Sequence, residues 1–135
     1  MIYRTITDVW ILARSKVKYF GAYPGGFSSR ARALLGVNHE DRVLHVCAGK
    51  VREYPYDGLG ARDVTMDLDS GLSPNITGDT NNLADYKRAL ESYPDVKAIL
   101  ADPPYAPELA DEYAPGRRSF PTANAIVRPS LAAIS

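Results

Sequence analysis

Four short apolar runs, each closed by an acid, a small residue or a proline, set the rhythm of this chain. Val43-Leu44-His45-Val46-Cys47 leads straight into Ala48-Gly49, and Asp63-Val64-Thr65-Met66-Asp67 into Leu68 and Asp69. Asn75-Ile76-Thr77-Gly78-Asp79 is shorter still, and Val96 to Ala101, broken only by Lys97, runs into Asp102-Pro103-Pro104-Tyr105. Short runs rich in branched residues and bounded by turn formers predict strands. The fourth reads as a buried strand that must stop near Asp102, because neither proline has a backbone N–H to give to a ladder.

Between the strands the apolar spacing lengthens to that of helices. Ile6, Val9, Trp10, Ala13 and Val17 predict an amphipathic helix over residues 6–19, with Arg14, Lys16 and Lys18 near its carboxyl end, where cations suit the helix dipole. Ser28 or Ser29 is the expected cap of a short helix through Ala31, Leu34 and Leu35 that ends at Gly36. Asn81 or Asn82 is the expected cap of another through Leu83, Tyr86, Ala89, Leu90 and Tyr93, stopped by Pro94. Any helix between Lys50 and Gly60 is short or broken, and Ser70 to Pro74 is turn-rich. A loop from Ala106 to Pro121 precedes a last helix capped by Thr122, carrying Ala125, Ile126, Leu131 and Ala132 and interrupted by Pro129. Strand and helix or loop in alternation, with acids at three strand ends, predict an α/β fold: a Rossmann-like, doubly wound, mostly parallel sheet. Residues 1–36 form a basic helical segment with a glycine-aromatic loop, and residues 37–135 the sheet domain.

Composition narrows the class. At 135 residues and 45% apolar, the chain is one globular domain. No apolar run is long enough to span a bilayer and no signal-like segment opens the chain, so a soluble, cytoplasmic protein is expected. Cys47 stands alone, which excludes an internal disulfide, and two histidines with one cysteine at unrelated spacings give no metal signature. Cys47 itself reads as a small buried apolar residue. The net charge is +0, yet residues 1–36 carry Arg4, Arg14, Lys16, Lys18, Arg30 and Arg32 against Asp8 alone. Such an arm is either a solvated face or a phosphate-facing surface.

An acid at the carboxyl end of a strand in an open α/β sheet faces the crevice where such folds bind ligands. Taken alone, Asp102-Pro103 is equally an Asp-Pro turn closing a strand. Likewise Tyr23-Pro24-Gly25-Gly26 is either an ordinary turn or a segment that lets backbone approach a ligand closely.

Together, Val43 to Gly49, Asp67, Asp79 and Asp102 to Tyr105 resemble a class I S-adenosylmethionine-dependent methyltransferase of the Asp-Pro-Pro-Tyr type, which methylates amino groups of adenine or cytosine in DNA. The resemblance covers residues 19–133. It implies S-adenosylmethionine as cofactor, with Tyr23, Pro24, Gly25 and Gly26 and the turn Cys47, Ala48 and Gly49 around its methionine end. Asp67 and Leu68 would lie at the ribose, with Asp69 the fallback acid, and Asp79 at the adenine. Lys50-Val51-Arg52 departs from the family, which has more glycine in this turn. Asp102 and the carbonyl of Pro103 would accept the two hydrogens of an exocyclic amino group, held rigidly by Pro103 and Pro104. Tyr105 would stack on the target base. No metal is implied.

The resemblance also sets an expectation of incompleteness. A full class I sheet has seven strands, whereas four are legible here, so a shortened form or a partner-completed sheet is expected, with a homo-oligomer or partner chain at the fourth strand. Nucleic acid, DNA or RNA, is the expected substrate, but no room for a target-recognition insertion lies between Asp79 and Asp102, so the usual reading domain is lacking and small sites, RNA or a non-nucleic amino acceptor stay open. The alternatives are a non-catalytic cofactor-binding subunit and an enzyme consuming the cofactor by another reaction.

Overall fold

The computed structural model describes residues 9–12, 23–53, 59–103 and 108. In chain order these form helix α1 (Phe27–Leu35), strand β1 (Arg42–Val46), a 3-10 turn (Val51–Glu53), β2 (Val64–Asp67), a second 3-10 turn (Ser70–Leu72), β3 (Ile76–Thr77), α2 (Leu83–Ser92) and β4 (Val96–Ala101). The strands make one parallel sheet in the order β3-β2-β1-β4. This is the expected α/β architecture. Leu44, His45 and Val46 pair with Val64, Thr65 and Met66 on one side and with Ile99, Leu100 and Ala101 on the other. The strand order reverses at β1, with β2 on one side and β4 on the other, and it is at the carboxyl ends beside such a reversal that open α/β sheets bind ligands.

Alternation along β1 sends its side chains to two different layers. Leu44 and Val46 join Val64, Met66, Ile76 and the α2 residues Tyr86 and Ala89 in the main core. Leu44 and Met66 are fully buried, and truncation of either to alanine costs about 2–5 kcal/mol. Val43 and His45 face the other way, toward Ser28, Ala31 and Arg32 of α1. The sheet is thus covered on both faces, as parallel sheets must be. α2 begins where Asn82 accepts the N–H of Ala84 with its side chain, as anticipated, and ends at Tyr93 just before Pro94.

Four expectations are corrected. First, α1 is capped neither by Ser28 nor by Ser29: the chain enters through Gly26 at φ 80° with no side-chain cap, and Ser28 is buried against the sheet instead. The left-handed entry requires glycine, which a serine cap does not supply. Second, residues 9–12 are not helical. Val9 is 87% exposed, while Trp10 packs on Phe27 at 6.0 Å between ring centroids and under Arg30, so these two positions of the expected face do not share one buried surface. Third, β4 is not a buried strand: Lys97 and Ala101 are exposed and the other four residues half-buried, with one strand neighbour among the described residues. Fourth, Arg32 belongs to no solvated arm.

Arg32 is 7% exposed and grips Asp63, whose carboxylate also accepts from His45 Nε2 at 3.0 Å, from Val43 N at 3.1 Å and from Gly60 N at 2.9 Å. Arg32 further donates to the carbonyls of Asn38 and Asp41. Burial pushes the Asp63 carboxyl up, but the hydrogen bonds from His45, Arg32, Gly60 and Val43 outweigh it and hold its pKa at about 2. This network ties α1, β1 and the start of β2 together. Gly60 is part of it sterically, since a Cβ there would stand 2.5 Å from Arg32 Nη2 and 2.8 Å from the His39 carbonyl.

The expectations for residues 1–8 and 13–22, for Pro104 and Tyr105, for the loop after them and for the helix after Thr122 lie outside the described residues. Among the described residues no helix is long and apolar enough to cross a membrane.

Candidate functional site

Parallel strands deliver their carboxyl ends to one edge, and here each brings an acid or a turn. β1 ends at Val46, and Cys47 follows in the left-handed region at φ 54°, with Gly49 at φ 51° two residues on. A cysteine in that conformation is sterically costly, and the turn is held by neighbours. Ala48 N donates to the Met66 carbonyl, and Gly49 N donates to Asp67 Oδ2 at 2.9 Å.

Asp67 is the last residue of β2. Its second oxygen, Oδ1, accepts from Asp69 N at 3.0 Å. Each carboxylate oxygen keeps one lone pair beyond these bonds, so the group can still accept from two hydroxyls. The fallback acid, Asp69, is engaged elsewhere, since its side chain accepts from Gly71 N and caps the 3-10 turn Ser70–Leu72. Leu68 lies between them, half-buried. Past β3, Gly78 N returns to the Asp67 carbonyl, which turns the chain so that Asp79 stands at the same edge. Asp79 Oδ1 accepts from Asn81 N at 2.9 Å, and Asp79 N donates to Asp85 Oδ2 at 2.8 Å.

On the far side of β1, the ladder continues one residue beyond β4: Asp102 N donates to the Val46 carbonyl at 3.3 Å. That bond sets Asp102 beside Cys47, across the order reversal of the sheet. Asp102 and Pro103 are both partly exposed.

The thiol of Cys47 registers this convergence. Burial pushes it up to about 12, and the charges of Asp67, Asp102 and Asp79 each add to the rise, against a hydrogen bond to Thr80 at 3.8 Å that lowers it. Three acids separated widely in sequence therefore surround one strand end. Cys47 is half-buried rather than fully enclosed.

Tyr23 to Gly26 forms the neighbouring wall. Tyr23 is buried with Ala48 and Val51, and its ring lies 4.5 Å from that of Phe27. Pro24 offers its carbonyl to Phe27 N, closing the turn into α1, while Gly25 is exposed. Cβ atoms built on Gly26 and Gly49 would meet nothing within 4 Å, so both glycines front open space.

The structure thus brings together Tyr23, Ala48, Gly49, Asp67, Asp79, Asp102 and Pro103, while Pro104 and Tyr105 lie outside the described residues. It adds two residues that sequence reasoning passed over. Thr80 is buried and meets the Cys47 thiol. Tyr86 places a buried hydroxyl without a partner beneath this end of the sheet, its pKa raised by burial and by the nearby Cys47 and Asp79. Among the described residues no group of three metal-ligating side chains occurs. No protein-family model, curated protein or solved structure matches the chain.

Proposed function

We propose that the chain is an S-adenosylmethionine-dependent methyltransferase acting on an exocyclic amino group, of adenine or cytosine in nucleic acid. One observation carries this reading. Asp67, Asp79 and Asp102 meet around the turn Cys47 to Gly49 at the reversal of strand order, each at the end of the strand the resemblance implies.

The donor and acceptor chemistry of this edge fits the cofactor. S-adenosylmethionine presents an ammonium, a ribose diol and an adenine amino group, all donors, and the edge supplies carboxylate and carbonyl acceptors. Asp67, fixed by Gly49 and Asp69, is oriented for the ribose hydroxyls; Asp79 is available to the adenine amino group. When bound, the cofactor supplies a methyl group on positively charged sulfur. The chain's part is to orient the acceptor nitrogen, whose lone pair is delocalised into its ring. Asp102 Oδ and the Pro103 carbonyl accept the two amino hydrogens, which turns the lone pair out of the ring plane. The surplus proton of the alkylated nitrogen would pass to solvent, so the role of Asp102 would be to accept a hydrogen bond and orient the amino group.

The half-covered β4 supports one further element of the reading, association with a second copy along that strand. Light scattering on the purified chain tests it, and a clean monomer overturns it. The activity itself is tested by calorimetry with S-adenosylmethionine, followed by transfer of a tritiated methyl group to mixed DNA and RNA. Binding with transfer is the expected result. Absence of binding at millimolar cofactor overturns the reading, and binding without transfer replaces it with a non-catalytic cofactor-binding subunit or an enzyme that uses the cofactor otherwise.

A further inference from the structure

Helix α1 turns Ser28 and Arg32, one helical turn apart, toward the face of the sheet that carries His45. Between them and Leu100 of β4 lies a cavity of about 10 Å³. That is room for one water molecule. Two polar atoms on residues that line it, Ser28 Oγ and His45 Nδ1, are buried without a hydrogen-bond partner; the residues are 4% and 3% exposed. Orphaned polar atoms of this kind are rare in folded proteins, and two of them on residues lining one small cavity, whose other walls include Ala31, Leu35, Val43 and Leu100, supply the two partners a single water needs there.

We propose that this cavity is a binding site for a single structural water that bridges Ser28 Oγ and His45 Nδ1. The water closes a circuit. Ser28 leads through it to His45, His45 Nε2 to Asp63 at 3.0 Å, and Asp63 to Arg32, back on the helix where the circuit began. Water suits either protonation state of the imidazole, since it donates to a bare Nδ1 and accepts from a protonated one. The same three residue types, serine, histidine and aspartate, also occur in hydrolases, but Asp63 is here neutralised by Arg32 and Ser28 Oγ is closed to solvent, so no substrate reaches it. The circuit fixes α1 against β1, and with it the turn Tyr23 to Gly26 against Ala48.

A crystal structure of the whole chain at high resolution is expected to show a water oxygen at about 3 Å from both atoms. In solution a long-lived water is expected to give a cross-peak to the His45 ring proton, and Ser28→Val, which replaces the hydroxyl by methyl groups, is expected to abolish it. A dry cavity, a direct bond between Ser28 Oγ and His45 Nδ1, or an unchanged cross-peak in folded Ser28→Val overturns the proposal. Should Ser28→Val fail to fold, Ser28→Ala decides. It keeps the space but removes one partner, so the cross-peak must weaken severalfold, and an unchanged one overturns the proposal equally.

Discussion

The amide of Gly49 donates to Oδ2 of Asp67 at 2.9 Å, so the turn after β1 is held by the acid that ends β2. The bond joins the two halves of the proposed cofactor site across one strand spacing. Asp102 lies on the other side of β1, where its amide is bonded to the Val46 carbonyl. Asp67→Ala is therefore expected to weaken S-adenosylmethionine binding by at least about tenfold, roughly the 1.4 kcal/mol or more that a charge-assisted pair contributes. Asp102→Ala is expected to abolish methyl transfer with cofactor affinity changed less than about threefold. Calorimetry and tritium transfer on both variants check the division, and equal loss of binding in the two refutes it.

Cys47 offers a reporter on the same edge. Its thiol, raised to about 12, stays protonated at neutral and mildly alkaline pH, and alkylation of the native protein at pH 8 is expected to be slow. Replacing Asp79 or Asp102 by asparagine removes a charge that holds the thiolate back, so the alkylation rate must rise and its pH midpoint fall. Rates identical to the unaltered protein would mean that these acids do not converge on Cys47. The linkage has a sign as well: a thiol raised on folding favours the native state below its unfolded value and loses that contribution as pH rises above about 8.5.

The buried carboxylate of Asp63 gives the opposite dependence. Its pKa is depressed to about 2 in the folded chain against about 3.9 when unfolded, so its contribution of about 2 kcal/mol is complete above pH 4 and is lost as pH falls toward 2. Denaturant titrations between pH 2 and pH 6 are expected to show this loss. Asp63→Asn is expected to cost about 3–5 kcal/mol at neutral pH, because it leaves the Arg32 guanidinium buried without a counter-charge, and to flatten the acid limb.

Gly60 tests the same network without touching a charge. A methyl group at this position is 2.5 Å from Arg32 Nη2, 2.8 Å from the His39 carbonyl and 2.9 Å from Asp63 Oδ1. Two of these neighbours are fixed by their own bonds, so the backbone must move. Gly60→Ala is expected to destabilise the fold by about 1–3 kcal/mol, read as a lowered thermal midpoint. An unchanged midpoint would show that the turn can yield.

The strands and α2 are legible in the chain because local signals and tertiary burial agree there. Val43 to Val46 and Val64 to Met66 are apolar where the core needs them, and Asn82 caps where Leu83 begins. The acids at the strand ends are legible for the same reason: once the strands are placed, Asp67 and Asp102 have one location each. What stays hidden is long-range polar pairing. Arg32 reads as a surface cation, and Asp63 as the first residue of a strand, until a fold sets them side by side across 31 residues. Helical spacing misleads at residues 9–12 for the complementary reason, since it does not say that Trp10 packs on Phe27 while Val9 stays exposed.

The register that pairs Val46 with Ala101 joins residues more than fifty positions apart. During folding, the closing of that long loop must precede any reward from the contact, which makes parallel pairing of this kind slow. A chain emerging from the ribosome has completed β1, β2 and β3 well before β4 is available, and Asp102 follows β4. The acids proposed for the cofactor are therefore in place before the one proposed for the acceptor: an intermediate lacking β4 could already hold Asp67 and Asp79, and with them a nucleoside, before it could do anything to an amino group.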